Sequence, residues 1–414
     1  MANDKQNTSP NVPNKREQSG IYSGYAERGE LRTQGNVPNL RFPEFTEEWK
    51  LRATTDYFEF KNGLNPEAKR FGLGTKFISV MDILNNRYIT YDKVIASVLP
   101  KDDDLKEFGV NYGDILFQRS SETLEDVGRA NVYLDDKTAL FGGFVIRGKK
   151  IGDYNPLFFR YLLSSPNVRK SIIVKGAGAQ HFNISQDGLS KVLLNVPSIQ
   201  EQEKISQFIN YIDERIDTQS KIIEDLKKLK VAIRDRELNS IRKHYGLNMQ
   251  ISEILDYEQP SKYIVSETEY LNNKEFTPVL TANKAFILGY TDEPFNIYDK
   301  GECIILDDFT LDCKLVNFAF KVKSSAIKIL TPKNNIILRY VYEYLNFLNL
   351  ETTEHKRHYI SEIEPMLIAY PDSNESVISF CDLMDKFDKK IENENKYLQS
   401  LLSQKNYLLS NMFI

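Results

Sequence analysis

The chain has 414 residues, 41% of them apolar, and a formal net charge of −4, enough to bury cores in at least two domains. No apolar run approaches the roughly 20 residues that span a bilayer, and the first residues lack an apolar signal core, which speaks against secretion. Three cysteines (Cys303, Cys313 and Cys381) have neither metal-ligand spacing nor the number for a disulfide framework, so a reducing cytoplasm is the expected compartment. The small negative charge alone argues against a nucleic-acid partner, but it is segregated. Lys314 to His358 holds eight Lys/Arg against three Asp/Glu, and Lys101 to Asp126 holds eight acids against three bases. A basic face and an acidic outer face can therefore coexist.

Residues 1–36 are rich in Asn, Ser, Gln, Gly and Lys and are expected to form a disordered tail, because they cannot bury enough surface to offset chain entropy. Residues 37–196 read as a first mixed domain, opening on a segment that leads to Trp49, the only tryptophan. Its β-like runs are 77–80, 115–117, 130–134 and 143–147. A helix is predicted over 156–163, with Pro156 suited to a first turn, and another from Pro166. A glycine-bearing loop follows at 176–185, then a strand over 189–196.

Residues 197–245 read as one long helix. Ser198 and Glu201 have capping-box spacing. Ile205, Ile209, Ile212, Ile216, Ile223, Leu226 and Ile233 then recur in steps of four and three, interrupted by Gln219 and Lys230. A seven-residue repeat of this kind keeps a narrow stripe against a partner helix. Gly246 supplies a left-handed stop. Residues 246–370 read as a second mixed domain, with β-like runs at 286–288, 303–306, 318–320 and 326–330. A helix over 338–348 matches the one at Pro156, and His358-Tyr359-Ile360-Ser361 echoes Phe182-Asn183-Ile184-Ser185. Residues 371–414 repeat the long helix. Asp372 and Glu375 repeat the capping box, and Phe380, Met384, Phe387, Ile391, Leu398, Leu401 and Leu408 hold the seam. The interruptions Glu394 and Lys405 fall 175 residues after Gln219 and Lys230.

An internal repeat of this length sets the architecture. The expected class is α+β: two mixed α/β domains in pseudo-twofold repeat, separated by an antiparallel pair of long coiled-coil helices. From Ile205 to Ile233 the helix rises roughly 40 Å at about 1.5 Å per residue, on the order of one DNA turn.

Leu40 to Lys50 (LRFPEFTEEWK), Asn195 to Ile205 (NVPSIQEQEKI), the loop GAGAQHFNIS and the paired helices together carry a resemblance over residues 38–412. The chain resembles the specificity subunits of type I restriction–modification enzymes, in which a proline-bearing strand end and a Glu-Gln pair open each long helix. Glu201-Gln202 or Gln202-Glu203 fills that slot here. The second junction, Ala369 to Ser376 (AYPDSNES), lacks the pair. The resemblance implies two target-recognition domains, each reading half of a split, asymmetric double-stranded DNA sequence, with the helices as a ruler for the unread spacer. It implies two modification (methyltransferase) subunits docked along the helices and restriction (motor and nuclease) subunits beyond them. No cofactor is expected on this chain; S-adenosylmethionine, ATP and Mg2+ belong to the partners, and no membrane is involved.

Catalytic motifs are missing from the sequence. Neither Asn-Pro pair, at Asn65 and Asn155, continues into the (Asn/Asp)-Pro-Pro-(Tyr/Phe) segment of an adenine methyltransferase. Gly143 to Lys149 fits G-x-x-x-x-G-K by letter, but Lys150 replaces Ser/Thr and the interior is β-like. His355 and His358 lack a convergent cysteine for a metal, and Asp307-Asp308 lacks the Glu-x-Lys partner of a nuclease. A self-sufficient enzyme is therefore disfavoured. A coiled-coil scaffold with two protein-binding heads and no DNA role remains the alternative.

Candidate DNA contacts follow from chemistry. Gln180, His181, Asn183 and Ser185 lie in the glycine-bearing loop, where Gln and Asn can pair with adenine edges; an ordinary solvated loop is the plain alternative. Gln118, Arg119, Ser120 and Ser121 follow a strand, and Arg119 suits guanine, a phosphate, or a surface ion pair. In the second domain Lys314, Lys321, Lys323, Ser324 and Ser325, then His355, Lys356 and Arg357, suit phosphate contact or a solvated β face. Lys230 and Lys405 at seam positions are candidates for fixing helix register.

Overall fold

The computed structural model describes residues 35–178, 181–282, 285–352 and 356–414, so Gln180, His355 and most of the expected tail lie outside the described residues. The chain divides into two compact units: residues up to Ser206 with Leu409–Ile414, and Gln207–Leu408. Among the described residues no helix is long and apolar enough to cross a membrane.

In the first unit a four-stranded antiparallel sheet runs in the order Phe58–Asn62, Val145–Lys150, Ile115–Gln118, Ala130–Val132. Its central strands are buried over Ile115–Gln118 and Val145–Gly148, because both faces are covered. Phe117 and Phe58 pack edge-on, and Phe58 meets Phe159 of the helix Pro156–Ser164. Leu116 and Val145 face a second cluster with Ile78, Ile83, Tyr133 and Phe141. Asn155 starts the helix, its Oδ1 accepting from the Phe158 amide at 2.9 Å, and Pro156 fits the first turn. A smaller sheet places Phe71–Ile78 between Ser97–Val98 and Leu140–Phe141, the latter pair parallel. Lys50–Ala53 pairs with Leu193–Val196 just before the first long helix, Ile199–Tyr245.

The second unit repeats this connectivity. Its main sheet runs Leu255–Glu258, Ile327–Pro332, Cys303–Asp307, Cys313–Val316; Thr277–Leu280 lies between Ile287–Thr291 and a parallel Lys321–Val322. Met249–Gln250 pairs with Leu367–Ile368 before the second long helix, Asn374–Asn411, and Leu338–Leu348 is the packed helix.

Local chemistry moved several expected boundaries. The strand predicted to reach Val80 stops at Ile78, because Asp82 accepts from the Ser79 amide at 2.7 Å and starts a helix at Val80. Leu189 sits in a short helix, Gln186–Ser190, rather than in the final strand. The expected strand at 318–320 is reduced to one bridge, where Phe320 exchanges bonds with Tyr298 at 2.8 and 3.1 Å. The second long helix begins at Asn374, so Asp372 is not its capping residue. At the first long helix Ser198 Oγ accepts from the Glu201 amide at 3.4 Å, but the Glu201 carboxylate does not close a capping box. It accepts from Arg41 at 2.7 and 2.8 Å and from Trp49 Nε1 at 3.2 Å.

In the second unit the long helices pair antiparallel. The seam residues Ile209, Ile212, Ile223, Phe380, Met384 and Leu401 are buried; Ile216, Leu226, Phe387, Ile391 and Leu398 are half-buried. Ile205, in the first unit's end of the helix, is also buried. Lys230 pairs with Asp388 at 2.7 Å and with Glu343 at 3.2 Å; Lys405 pairs with Asp213 at 2.7 Å. Gln219 donates to the Glu394 carbonyl at 3.1 Å. An offset of 175 residues turns Asp213, Gln219 and Lys230 into Asp388, Glu394 and Lys405, so the two Lys–Asp pairs are images of each other and Gln219–Glu394 marks the local twofold. Gly246, at φ +69°, ends the first helix, its amide donating to the Arg242 carbonyl at 3.0 Å.

Candidate nucleic-acid interface

Three segments meet at one end of the main sheet in each unit, and backbone hydrogen bonds fix them position by position. In the first unit the Arg119 amide donates to the Phe144 carbonyl and the Ile184 amide to the Arg119 carbonyl, both at 2.9 Å. In the second the Asp308 amide donates to Ala326 at 2.9 Å and the His358 amide to Asp308 at 3.0 Å. Arg119 thus corresponds to Asp308, Phe144 to Ala326, Ile184 to His358, and Asn183 to Arg357. The echo of Phe182 in His358 is therefore two positions out.

In the first unit Ser120–Ser121 and Phe182–Asn183 form a two-stranded ribbon, and the Ser120 hydroxyl donates to Asn183 Oδ1. Ala177 and Asn183 exchange amide bonds at 2.9 and 2.8 Å across the loop. Gly178 makes that turn at φ +145°, where a Cβ would stand 2.0 Å from the His181 carbonyl oxygen, so only glycine fits. His181 and Asn183 are exposed. Among the described residues Arg119 makes no ion pair; its guanidinium donates to the Gly143 carbonyl at 3.2 Å, holding two loops together. Asn62, Lys175 and Gln186 line the same groove as Arg119 and Asn183.

Two first-unit candidates are placed differently from the expectation. Gln118 is 5% exposed. Its Nε2 donates to the Ser120 carbonyl at 2.9 Å, because it ends a wholly buried strand and points into the protein. Ser185 uses its hydroxyl to accept from the Gly188 amide at 2.9 Å, capping the short helix that follows. Ser121 Oγ accepts from the Thr123 amide at 3.2 Å.

In the second unit Lys323, Ser324, Ser325 and Ala326 form the turn equivalent to Gly142–Phe144, one residue longer, since the Lys323 amide donates to Leu280 as the Gly142 amide does to Ile78. Lys323 and Ser324 are exposed. Arg357 is exposed, with its guanidinium 3.4 Å from Ser325 Oγ, and Lys356 pairs with Glu362 at 3.1 Å. Lys314 is exposed on its strand beside Asp307 and Asp312. Lys321 departs from the expectation of a solvent-facing lysine. It is fully buried, paired with Glu293 at 2.7 Å and donating to the Phe295 carbonyl at 2.9 Å. The ammonium holds the Glu293 carboxyl below the usual carboxylate range. Lys321 aligns with Leu140, a core position, so its charge must be neutralised inside.

The motifs set aside in the sequence have structural uses. Asp308 Oδ1 accepts from the His358 and Tyr359 amides at 3.1 and 2.8 Å, and Asp307 Oδ1 accepts from Phe309 and Thr310. His358 is buried, with Nδ1 2.9 Å from Glu362 and Nε2 2.7 Å from Thr352 Oγ1. Gly148 lies in a sheet strand, not a phosphate loop. Sequence reasoning missed Asn62, Phe144, Lys175 and Gln186. Only Gly142-Gly143-Phe144, a turn between two apolar runs, left a readable signal.

Residues 46–228 match the family model described as the type I restriction modification DNA specificity domain. The matched stretch is somewhat under half of the chain. A 151-residue stretch is 43% identical to the EcoR124I/EcoR124II specificity subunit of Escherichia coli, covering 34% of this chain and 37% of that relative's length. The fold is similar to the crystal structure of the type I restriction–modification S subunit from M. genitalium, at 19% identity and a TM-score of 0.53, over 91% of this chain and 99% of that one. A chain from a study of complex assembly and conformational transition in the type I system is 12% identical with a TM-score of 0.55, over 87% and 96%.

Proposed function

We propose that this chain is the DNA sequence-specificity subunit of a type I restriction–modification complex. Each unit reads half of a split, asymmetric duplex target, and the helix pair sets the unread gap between the halves. Two methyltransferase subunits, carrying S-adenosylmethionine, and the ATP- and Mg2+-dependent restriction subunits bind this chain in the cytoplasm, and the chain itself is non-catalytic. The observation that carries the reading is the repeated three-segment platform: hydrogen bonds hold the same backbone positions in both units, while the side chains presented there differ. Two readers on one scaffold need that combination, because base readout depends on the side chains at fixed backbone positions. A scaffold with two protein-binding heads gives no reason for it.

The test is to co-express the chain with the methyltransferase subunits encoded beside it and map adenine methylation across the host genome. A two-part motif with a constant gap is expected. Inserting seven residues in both long helices, which keeps the seam in phase, should lengthen that gap. Absence of methylation together with absence of DNA retention overturns the proposal.

A further inference from the structure

The turn between the strands Leu140–Phe141 and Val145–Lys150, which belong to different sheets, leaves an aromatic ring in the open beside the polar candidates. Phe144 is 69% exposed. Burial of such a side chain is favourable, so its exposure needs a reason beyond chance only if the ring is held there. It is held. The Val145 amide donates to the Gly142 carbonyl at 2.9 Å, closing the turn; the Gly142 amide donates to Ile78 at 3.0 Å, and the Arg119 amide takes the Phe144 carbonyl at 2.9 Å. The Arg119 guanidinium takes the Gly143 carbonyl. A Cβ on Gly143 would stand 2.0 Å from Asn65 Oδ1, and one on Gly63 would stand 2.0 Å from the Gly142 oxygen. The turn is therefore clamped from two sides and cannot fold the ring inward. Phe144 is bonded through its backbone to Arg119, whose own carbonyl accepts from Ile184, next to Asn183.

From this we infer that Phe144 is a specificity-determining contact to the 5-methyl group of a thymine in the major groove. The inference rests on the DNA-reading function proposed above. A phenyl ring covers the thymine methyl, the one apolar feature of the major-groove edge, while neighbouring amide and guanidinium groups take the hydrogen-bonding atoms. With 69% of the residue exposed, the ring has open surface for a methyl to pack against. Insertion between base pairs would need both faces free. The second unit has Ala326 at the aligned position, in a Lys323-Ser324-Ser325-Ala326 turn, so the contact belongs to the first unit alone.

The experiment uses the full chain assembled with its methyltransferase subunits and a duplex carrying the methylated motif. Each thymine of the motif is replaced in turn by deoxyuridine, which lacks only the methyl. One replacement is expected to weaken binding by about fourfold, the factor for one buried methyl. Phe144→Ala should bind the thymine and uracil duplexes equally, and Phe144→Leu should keep most of the discrimination. The contact is overturned if the motif has no thymine, if no replacement affects the wild-type complex, or if Phe144→Ala remains as sensitive as wild type. In each of those cases binding to the intact motif persists, whereas failure of the DNA-reading function itself would abolish it for every duplex.

Discussion

Where the first unit buries Leu140, the second buries Lys321, and it tolerates the charge because Glu293 lies 2.7 Å away. Where the first unit joins its long helix to the domain through buried polar side chains, the second uses a tyrosine. Glu201 and Gln202 are both buried; Glu201 holds Arg41 and Trp49, while Gln202 accepts from the Asn155 amide at 3.0 Å and donates to the Pro197 carbonyl at 3.0 Å. In the second unit the Tyr370 hydroxyl accepts from the Ile337 amide at 3.1 Å, the position before the packed helix that Asn155 occupies in the first. The recurring element is the backbone connection, not the residue that makes it. A missing Glu-Gln pair at the second junction therefore changes the chemistry without losing the joint.

Substitutions at the joints test that contrast most strongly. Glu201→Ala leaves the Arg41 guanidinium and the Trp49 N–H without their acceptor in a site where Arg41 is 13% exposed, and should cost about 3–5 kcal/mol in denaturant unfolding. Tyr370→Phe removes one neutral hydrogen bond and should cost about 1 kcal/mol. Equal losses would mean that the two joints are energetically alike despite their chemistry.

The buried pair gives the next effect. Lys321→Leu alone strands the Glu293 carboxylate and should destabilise by about 3–5 kcal/mol, whereas Lys321→Leu with Glu293→Leu should be neutral or stabilising by about 1–4 kcal/mol. The double variant makes the second unit resemble the first, and calorimetry of the two variants decides whether the ion pair is needed for stability.

At the proposed reading surface, Asn183→Ala is expected to relax base choice at one position by about 1–3 kcal/mol and to leave the other half-motif untouched. Arg357→Ala should act on the other half alone. Methylation maps of both variants check this, and a variant that altered both halves would contradict independent readers.

The smallest effect is acidic. Burial disfavours the charge of Glu258, but hydrogen bonds from Lys262, Lys300 and Tyr263 outweigh it and hold the carboxyl at about 2. Its folded value lies below the unfolded one, so the stabilisation is complete above the ordinary carboxylate range and lost as pH falls towards 2. Both lysines are about half exposed, so screening keeps the contribution below about 1 kcal/mol. The difference in melting temperature between wild type and Glu258→Gln should shrink between pH 5 and pH 2.5.

Periodicity made much of this readable. The seam from Ile205 to Ile233, the stop at Gly246 and the helix Leu338–Leu348 repeat at helical spacing and needed no partner to be seen. What stayed hidden depends on distant contacts. Lys321 looked like a surface lysine because Glu293 is 28 residues earlier and no local pattern links them. Glu201 fits a capping box by spacing, but Arg41, 160 residues away, competes for the same carboxylate. Ser120–Ser121 and Phe182–Asn183 are two-residue strands, too short for any alternation to register. The shared Ile-Ser letters drew the second candidate loop two positions out of line, and only the bond from His358 to Asp308 corrected it.

At the centre of the helix pair the two copies differ in a single chemical group: Gln219 faces Glu394. A pair built from two first helices would set amide against amide, which can still hydrogen-bond. A pair built from two second helices would set carboxylate against carboxylate, and like charges in such a half-buried seat repel. Two neighbouring molecules are therefore disfavoured from pairing through their second helices. One carboxamide, replaced by acid 175 residues later, favours a first helix against a second over a second against a second.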